Sequence, residues 1–308
     1  MVSKDPLPSG VHVALATPLT PEYDIDVDAV GDLVEHVIEG GIYGLNVMGS
    51  TGEVASLSEP KRRRLVSAVM EAVQERVPVI CAVAQNSFDD AVKEIEALAG
   101  QGVQGALVTP PSYYPINQPA AESYYRMLSE RSPLPILIYN IPQFTKVAVA
   151  PSVVAALARD CVVAGIKDSS RDFEYFSQVV YATRGIQGFK VFTGSDTMLL
   201  ASLRIGGNGT IAGGPNLAPS LAVELYQAFQ AQEWDRAVEL QGRVLELVMA
   251  TRRGVFPAGI KAGLEILGLC DATMAPPVPM LSREDREHLR VAMERLDLLP
   301  APSLRRIA

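Results

Sequence analysis

A lysine closes one of the most apolar stretches of this sequence. Residues 162–166 read Val-Val-Ala-Gly-Ile, and Lys167 follows them, with Asp168 and two serines behind it. A buried strand that ends in lysine either lets the amine reach solvent or points it into a cavity. Lysine is much rarer than arginine in this chain, so a lysine at a strand end is less easily explained as an ordinary surface residue. The residues discussed next favour a lysine that points into a cavity.

An amine in a cavity is suited to covalent attack on a ketone. Only a neutral amine is a nucleophile, and at the ordinary lysine pKa near 10.4 about one side chain in 2,500 is neutral at pH 7. Burial in a low-dielectric pocket favours the neutral form of a lysine. Formation of the imine also needs a nearby acid–base group. Tyr139, which ends another apolar run, offers a phenol, although taken alone it equally suits a strand-end tyrosine with a solvated hydroxyl.

Hydroxyls and backbone amides follow other apolar runs. Residues 49–53 read Gly-Ser-Thr-Gly-Glu, and such a turn offers N–H groups and hydroxyls that can hold a carboxylate. Glu53 is expected to brace this loop. The tyrosines at 113 and 114 follow the fourth run and, taken alone, equally suit loop or interface packing. From these residues, Lys167 and Tyr139 are the predicted catalytic residues, and the predicted substrate-binding residues are Ser50 and Thr51 with Ile211 and Gly213 at the end of the eighth apolar run.

These positions come together only if the apolar runs are strands of one sheet. Eight such runs alternate with helical patterns along the chain. Eight strand–helix units predict an α/β fold of the (β/α)8 or TIM-barrel type, whose active site lies at the C-terminal ends of the strands. A doubly wound sheet has fewer units and a glycine-rich first turn, whereas residues 17–19 read Thr-Pro-Leu. The predicted strands span residues 11–17, 43–48, 78–82, 103–108, 135–139, 162–166, 189–193 and 208–212.

Three further helices are predicted after the barrel, over residues 233–249, 257–267 and 283–295. No Ser/Gly-rich linker precedes them. We therefore expect one domain over residues 1–308, with the barrel at about 11–231 and a C-terminal helical extension at about 232–300.

Composition and charge exclude several other classes of function. The chain of 308 residues is 48% hydrophobic and 20% charged, with a net charge of −8 and a pI of about 5.1. A nucleic-acid surface needs a basic face, and the one basic run, residues 61–64, reads as a solvated helix face. No apolar segment approaches the about 18 residues of a membrane span, and Met1 to Gly10 lack a secretory signal, so a cytoplasmic location is expected.

The potential metal ligands show no spacing typical of a metal site. The three cysteines, Cys81, Cys161 and Cys270, lack the C-x-x-C pattern of a zinc or redox site, and the three histidines are scattered. We expect neither a metal nor an organic cofactor.

Taken in order, the motifs resemble the Schiff-base pyruvate lyases that include dihydrodipicolinate synthase and N-acetylneuraminate lyase. The resemblance implies that Lys167 forms an imine with pyruvate and that Tyr139 carries protons. It further implies that Ser50 or Thr51 bonds to that tyrosine while their backbone amides hold the pyruvate carboxylate. The motifs that carry it are Ala-Leu-Ala-Thr-Pro at 14–18, Gly-Ser-Thr-Gly-Glu at 49–53, Thr-Pro-Pro at 109–111, Tyr-Asn-Ile-Pro at 139–142, Gly-Ile-Lys-Asp at 165–168 and the glycine-bounded helix at 259–268.

The same resemblance implies an assembly. Members are commonly tetramers built from tight dimers, in which a second tyrosine reaches into the site of the neighbouring subunit. Tyr113 matches that tyrosine when counted back from Gln118, and Tyr114 is the alternative.

The sequence departs from the family pattern at two positions that bear on the substrate. Dihydrodipicolinate synthases of the usual kind carry an arginine two residues after the proline of the Tyr-Asn-x-Pro motif, where this chain has Phe144. A phenyl ring cannot form a bidentate pair with a carboxylate. Sialic acid lyases carry an acidic residue after Gly-x-Asp, where this chain has Thr197.

The best interpretation is therefore reversible aldol cleavage or condensation of a 2-oxo acid, of the 2-oxo-3-deoxy sugar acid type, into pyruvate and an aldehyde. Dihydrodipicolinate synthase, with another residue replacing the arginine, is the nearest alternative. A non-catalytic 2-oxo acid binding protein is a second alternative. A phosphate-binding barrel enzyme is a third, based only on the glycines near residues 206–214.

Overall fold

Parallel strands close into a barrel in the computed structural model, which describes residues 7–114 and 116–299. Within those residues there are eight strands in sequence order, and the last pairs with the first, Gly10 lying opposite Gly209. This closure confirms the (β/α)8 barrel and excludes the doubly wound sheet. The strands are β1 Gly10–Ala14, β2 Gly44–Val47, β3 Val79–Val83, β4 Gly105–Val108, β5 Ile136–Asn140, β6 Gly165–Asp168, β7 Lys190–Thr193 and β8 Gly209–Ala212.

Helices follow the strands and continue beyond the barrel. The predicted helices are present, with bounds that differ by a few residues, and a short helix after β5 was not predicted. They are α1 Val27–Glu39, α2 Glu59–Val73, α3 Phe88–Gly100, α4 Gln118–Arg131, α5 Pro142–Thr145, α6 Pro151–Arg159, α7 Phe173–Ala182, α8 Leu199–Arg204, α9 Pro219–Gln230, α10 Trp234–Thr251, α11 Ala258–Leu267 and α12 Arg283–Arg295. Single 3₁₀ turns occur at Val54–Ser56, Asp196–Met198 and Gly214–Asn216.

The strands are apolar on both faces because one face packs against the surrounding helices and the other fills the barrel interior. Outward side chains such as Leu45 and Val47 join the layer between the barrel and its helices. Inward side chains such as Leu107, Leu137 and Phe192 fill the barrel interior. A parallel sheet that is covered on both faces reads as continuous apolar runs, which is why the strands could be recognised.

Of the first three helices, α1 and α3 begin at a residue whose side chain caps the first turn. The Asp26 side chain accepts a hydrogen bond from the Ala29 N–H at 3.1 Å, and Ser87 does the same for Asp90 at 3.3 Å. Ser58 occupies the N-cap position of α2, but its side chain makes no capping hydrogen bond.

Two predicted elements differ from the structure near the mouth of the barrel. The strand predicted at 162–166 is shifted, because Val162 still bonds back to the Leu157 carbonyl at 2.9 Å after α6. Lys167 therefore lies within β6 rather than beyond its end. The helical pattern between the seventh and eighth predicted strands, which predicts a helix over residues 197–205, is divided into the 3₁₀ turn at Asp196–Met198 and the shorter α8.

The C-terminal helices pack on one side of the barrel. Helix α10 packs against α9 and α12, and α11 packs against α12 and the turn after β8. Among the residues described, no helix is both long and apolar enough to cross a bilayer.

Candidate active site

The two central candidates, Lys167 and Tyr139, lie side by side. Their Cα atoms are direct partners in the β5–β6 ladder. Residues paired across neighbouring strands point to the same face of a sheet, and here that face is the barrel interior. Both are 3% exposed, and the Lys167 Nζ lies 4.4 Å from the centre of the Tyr139 ring.

The next residue on each strand points the other way and ties the strand ends together. The Asn140 side chain donates a hydrogen bond to Asp168 at 2.8 Å and accepts one from the Val149 N–H at 3.0 Å. The Ser170 hydroxyl donates to the other Asp168 oxygen at 2.9 Å. Burial raises the pKa of Asp168, and these hydrogen bonds partly oppose that shift. The pair fixes the register that sets Lys167 beside Tyr139.

Space for the lysine comes from a glycine on the adjacent loop. A Cβ at Gly194 would lie 1.9 Å from the Ser169 Oγ and 3.1 Å from the Lys167 Cε. The Gly194 N–H also donates to the Asp168 carbonyl at 2.6 Å. The close approach of these two loops is therefore possible only without a side chain at position 194.

The loop at residues 49–53 brings hydroxyl groups to the same place. The Ser50 Oγ and the Tyr139 hydroxyl are 3.2 Å apart, and either can be the donor. Thr51 is 5% exposed. It packs close to Gly213, where an added Cβ would come within 3.2 Å of the Thr51 Oγ1 and 2.7 Å of the Ile260 Cδ1.

Glu53 anchors this loop to the C-terminal segment. Its carboxylate accepts a hydrogen bond from the Ala275 N–H at 2.8 Å and lies 3.2 Å from the Lys261 Nζ. Both side chains of this ion pair are buried, and Lys261 also donates to the Thr273 carbonyl at 2.5 Å. The expected bracing role of Glu53 fits these contacts, although its partners lie more than two hundred residues away.

Most of the predicted site residues line one cavity of about 290 Å³ at the C-terminal ends of the strands. Tyr113 does not line it. The Tyr113 and Tyr114 side chains are 76% and 75% exposed, and their rings contact each other edge to face at 5.0 Å. Tyr113 therefore lies outside the cavity of its own chain, and its expected role in the site of a neighbouring subunit stays a prediction. The cavity-lining candidates are Ser50, Thr51, Tyr139, Lys167, Ile211 and Gly213.

A lysine and a tyrosine thus lie together at the mouth of a closed barrel, and the chain that carries them matches a known family. The model of the Dihydrodipicolinate synthetase family matches residues 7–296. The chain belongs to this family. Its members are lyases and synthases, so the chain is an enzyme of that kind, and the expected resemblance is confirmed.

Individual relatives agree with the family match. A DapA-like lyase of Halobacterium salinarum is 33% identical over 298 residues, covering 96% of this chain and 97% of the relative. The 4-hydroxy-tetrahydrodipicolinate synthase of Syntrophus aciditrophicus is 33% identical over 290 residues, covering 94% and 99%. The structure of a chloride-inhibited dihydrodipicolinate synthase of Acinetobacter baumannii, complexed with pyruvate, aligns with a TM-score of 0.90 at 26% identity, covering 94% and 99%.

Phe144, where the sequence departs from the family pattern, changes the character of the cavity wall. Phe144 lines the cavity and packs against Phe256, with ring centres 6.1 Å apart. The two rings make one wall of the cavity apolar. Gln143, between Pro142 and Phe144, instead donates to the Ser169 carbonyl at 2.8 Å.

Three charged residues of the cavity were missed by the sequence reasoning. Arg171 follows β6, Asp196 follows β7, and Arg252 ends α10. Burial raises the pKa of Asp196 to about 6, opposed by the Gly214 N–H and by the positive charges of Arg252 and Lys167. Asp196 belongs to the Gly-x-Asp motif and could have been found there, but nothing in the spacing of Arg171 or Arg252 places them together.

Asn216, also missed, holds two strand ends together. It donates to the carbonyls of Ala14 and Gly213, each at 2.8 Å, and accepts from the Ala16 N–H at 2.9 Å. Over residues 7–114 and 116–299, no group of three or more His, Cys, Asp or Glu side chains is arranged to hold a metal ion.

Proposed function

We propose that this enzyme is a pyruvate-dependent Schiff-base lyase. It catalyses the reversible aldol cleavage or condensation of a 2-oxo acid, of the 2-oxo-3-deoxy sugar acid type, with pyruvate and an aldehyde as the other partners. The single observation that supports it best is the buried Lys167 amine 4.4 Å above the Tyr139 ring. No metal or organic cofactor is required by this chemistry, because the imine itself serves as the electron sink.

In the proposed reaction the neutral Lys167 amine attacks the ketone carbon of pyruvate to give a carbinolamine. Loss of water forms the C=N bond, and removal of a methyl proton gives an enamine. The enamine carbon attacks the aldehyde carbon, whose oxygen takes up a proton. Water then adds to the new imine and releases the 2-oxo acid and the free lysine.

Tyr139 is the group we assign to proton transfer. Its hydroxyl is paired with the Ser50 Oγ at 3.2 Å, so a proton that leaves the phenol can be replaced through the serine. Such positioned acid–base groups contribute about 10²–10⁴-fold to the rate. We assign the backbone amides of Ser50 and Thr51 to the pyruvate carboxylate, with Ile211 and Gly213 lining the opposite side of the cavity.

Trapping with borohydride tests this proposal. Borohydride added with pyruvate should reduce the imine and leave a three-carbon acid fragment on Lys167, located by peptide mass spectrometry. Lys167→Ala should take up no fragment. Lys146→Ala, which removes an exposed lysine of the neighbouring loop, should label like the native chain. An unlabelled native chain, or labelling of the Lys167→Ala variant, would rule the proposal out.

Dihydrodipicolinate synthase activity is a second candidate, favoured by the name of the Syntrophus relative. The apolar wall of Phe144 and Phe256 counts against it, unless another cation replaces the missing arginine. Assaying condensation of pyruvate with aspartate semialdehyde separates the two, since rapid turnover would favour the synthase.

A binding protein without catalysis is the remaining alternative. The buried lysine and tyrosine count against it, because a sensor has no need of a nucleophilic amine. Exchange of the pyruvate methyl protons for deuterium, followed by NMR, distinguishes them. An enzyme that forms the enamine exchanges these protons, and a sensor does not.

We also propose a homotetramer built from tight dimers, with Tyr113 entering the site of a neighbouring subunit. The high exposure of Tyr113 and Tyr114 in the single chain supports this proposal. Sedimentation of the native chain and of Tyr113→Ala and Tyr114→Ala tests it, and the variant that loses activity identifies the tyrosine involved. A reducing, cytoplasmic location is proposed as well, since Cys81, Cys161 and Cys270 are free thiols.

A further inference from the structure

The cavity around Lys167 carries more positive charge than imine formation needs. Besides the lysine, Arg171 and Arg252 line it, and Asp196 is the one carboxylate among the described lining residues. Arg171 comes from the loop after β6 and Arg252 from the C-terminal end of α10, so two distant parts of the chain place guanidinium groups at the same opening.

Neither arginine is neutralised by an ion pair with a carboxylate of the described residues. The adjacent Arg253 makes a useful contrast, because it points away from the cavity and pairs with Asp285 at 2.9 Å. Arg252 makes only a weak contact, with the Met249 Sδ at 3.9 Å. Arginines that line a cavity without a carboxylate partner are suited to bind an anion brought by a ligand.

The two guanidinium groups also act on each other. Partial burial lowers the pKa of Arg252, and the positive charge of Arg171 lowers it further, whereas Asp196 acts in the opposite direction. Two like charges held at one opening repel each other, and an anion between them would relieve that repulsion.

The backbone of Arg171 decides which substitution tests its role, because it adopts a positive φ, as do nine other non-glycine residues of the described ranges. Its φ is +63°, in the left-handed region that favours glycine. A non-glycine residue in this region carries a strain of about 1 kcal/mol or more, so Arg171→Gly removes the guanidinium group without opposing the backbone.

The position of these charges complements the apolar wall. Phe144 packs on Phe256 and makes that side of the cavity apolar, so the charged side chains lie apart from it. The cavity of about 290 Å³ suits a small metabolite. Pyruvate occupies the part near Ser50 and Thr51 in the proposed function, which leaves the arginines for the second substrate.

We propose that Arg171 and Arg252 together bind an anionic group, a carboxylate or a phosphate monoester, at the far end of the aldehyde substrate. This inference rests on the proposed lyase function and specifies its second substrate. The 2-oxo acid product would then carry two anionic ends, one held by the residue 50–51 amides and the other by the arginine pair.

The kinetic test compares aldehydes that differ in their distal charge. Native enzyme is given pyruvate with glyceraldehyde 3-phosphate, succinic semialdehyde, or the neutral glyceraldehyde and butanal. Arg171→Gly and Arg252→Gln should each lower kcat/KM for the preferred anionic aldehyde by about 10- to 100-fold, the usual cost of losing a charge-assisted hydrogen bond. The neutral aldehydes should change by less than about threefold. The phosphate and carboxylate arms identify which anion is recognised.

Arg253→Gln is the matched control, since it removes the next arginine of the chain but not one that lines the cavity. It should leave the ratio of anionic to neutral rates unchanged. If the ratio of kcat/KM for anionic aldehydes to kcat/KM for neutral aldehydes is the same in the native enzyme, Arg171→Gly and Arg252→Gln, the inference is overturned.

A binding measurement separates failure of this inference from failure of the proposed function. Inorganic phosphate and succinate are titrated calorimetrically at low salt into native enzyme and the three variants, without turnover. Weaker binding to Arg171→Gly and Arg252→Gln, but not to Arg253→Gln, supports the arginine site whatever the lyase assay shows. If the native enzyme and the three variants bind these anions equally well, the arginine site is overturned, even if borohydride labels Lys167 and the lyase function stands.

Discussion

The amine of Lys167 lies 4.4 Å from the centre of the Tyr139 ring because the two residues are Cα partners across β5 and β6. Their contact is therefore set by strand register rather than by flexible loops. A slip of one residue between the two strands would turn one of these side chains out of the barrel interior and separate the pair. The hydrogen bond from Asn140 to Asp168, at 2.8 Å on the opposite face, opposes such a slip.

Tyr139→Phe should reduce the rate of pyruvate condensation by about 10²–10⁴-fold, because the phenol is the proposed proton carrier. The ring that packs beside the amine is retained, so the fold should be preserved. Tyr175→Phe is the control, since it removes a hydroxyl that donates to the Val149 carbonyl at 2.6 Å outside the cavity. It should cost about 1 kcal/mol of stability and leave kcat unchanged. A Tyr139→Phe enzyme with the native rate would show that another group moves the protons.

Gly194→Ala should abolish or strongly reduce imine formation. The new methyl group would overlap the Ser169 Oγ and press on the Lys167 Cε, so one of the two loops must move. Gly31→Ala, in an open position of α1 with nothing within 4 Å of the added carbon, should stabilise the chain by up to about 1 kcal/mol. Borohydride labelling and urea unfolding of both variants test this. Normal labelling of a fully folded Gly194→Ala variant would contradict it.

Much of the fold could be predicted because buried parallel strands are visible as apolar runs. The rule that barrel sites lie at C-terminal strand ends then selected Lys167, Tyr139 and the residue 49–53 loop, which do lie together. The bounds of β6 were wrong because Val162 and Val163 are as apolar as a strand, yet Val162 is still bonded to the end of α6.

The rest of the site depends on contacts that local pattern does not encode. Arg252 reaches the cavity because α10 packs back against α9 and the turn after β8. Arg171 lies in the loop after β6, where no local pattern predicts the positive φ of its backbone. Tyr113 was placed at the mouth by strand order, but the loop after β4 carries it out to solvent. The hypothesis of an inter-subunit role for Tyr113 came from the family resemblance, and a single chain does not test it.

Lys261→Met should destabilise the enzyme by about 3–5 kcal/mol, because it leaves the Glu53 carboxylate buried without its cation. Adding Glu53→Gln should recover part of the loss by removing that charge. Arg63→Met, which breaks an exposed pair with Glu59, should change stability by less than about 1 kcal/mol. Urea unfolding curves measure all of these variants.

The same curves address the proposed single domain. The sole tryptophan, Trp234, begins α10 and reports on the C-terminal helices, while circular dichroism reports on the whole chain. Because the Glu53–Lys261 pair joins the barrel loop to those helices, both signals should move together in the native protein. Separate transitions would indicate two domains.

Asp196→Asn should make stability less dependent on pH between about 4 and 6. The folded-state pKa of Asp196 is raised from 3.8 to about 6, so the folded protein binds this proton more tightly than the unfolded chain does. The stabilisation that the proton provides is complete below pH 3.8 and is lost as the pH rises through 6. The stability of the native enzyme should therefore drop below that of Asp196→Asn across this window, by on the order of 3 kcal/mol at pH 7, with no difference near pH 3.5.

Urea unfolding of both chains at several pH values measures this difference, and other titrating groups, such as the buried His12, cancel in it. Asp32→Asn, an exposed aspartate of α1, should leave the pH profile unchanged. Asparagine can still accept from the Gly214 N–H, which Asp196 accepts at 3.4 Å, so the substitution removes the charge while keeping the contact. If Asp196→Asn is less stable than the native enzyme at pH 7, the carboxylate is held by a partner stronger than Arg252, and its desolvation is not the dominant effect.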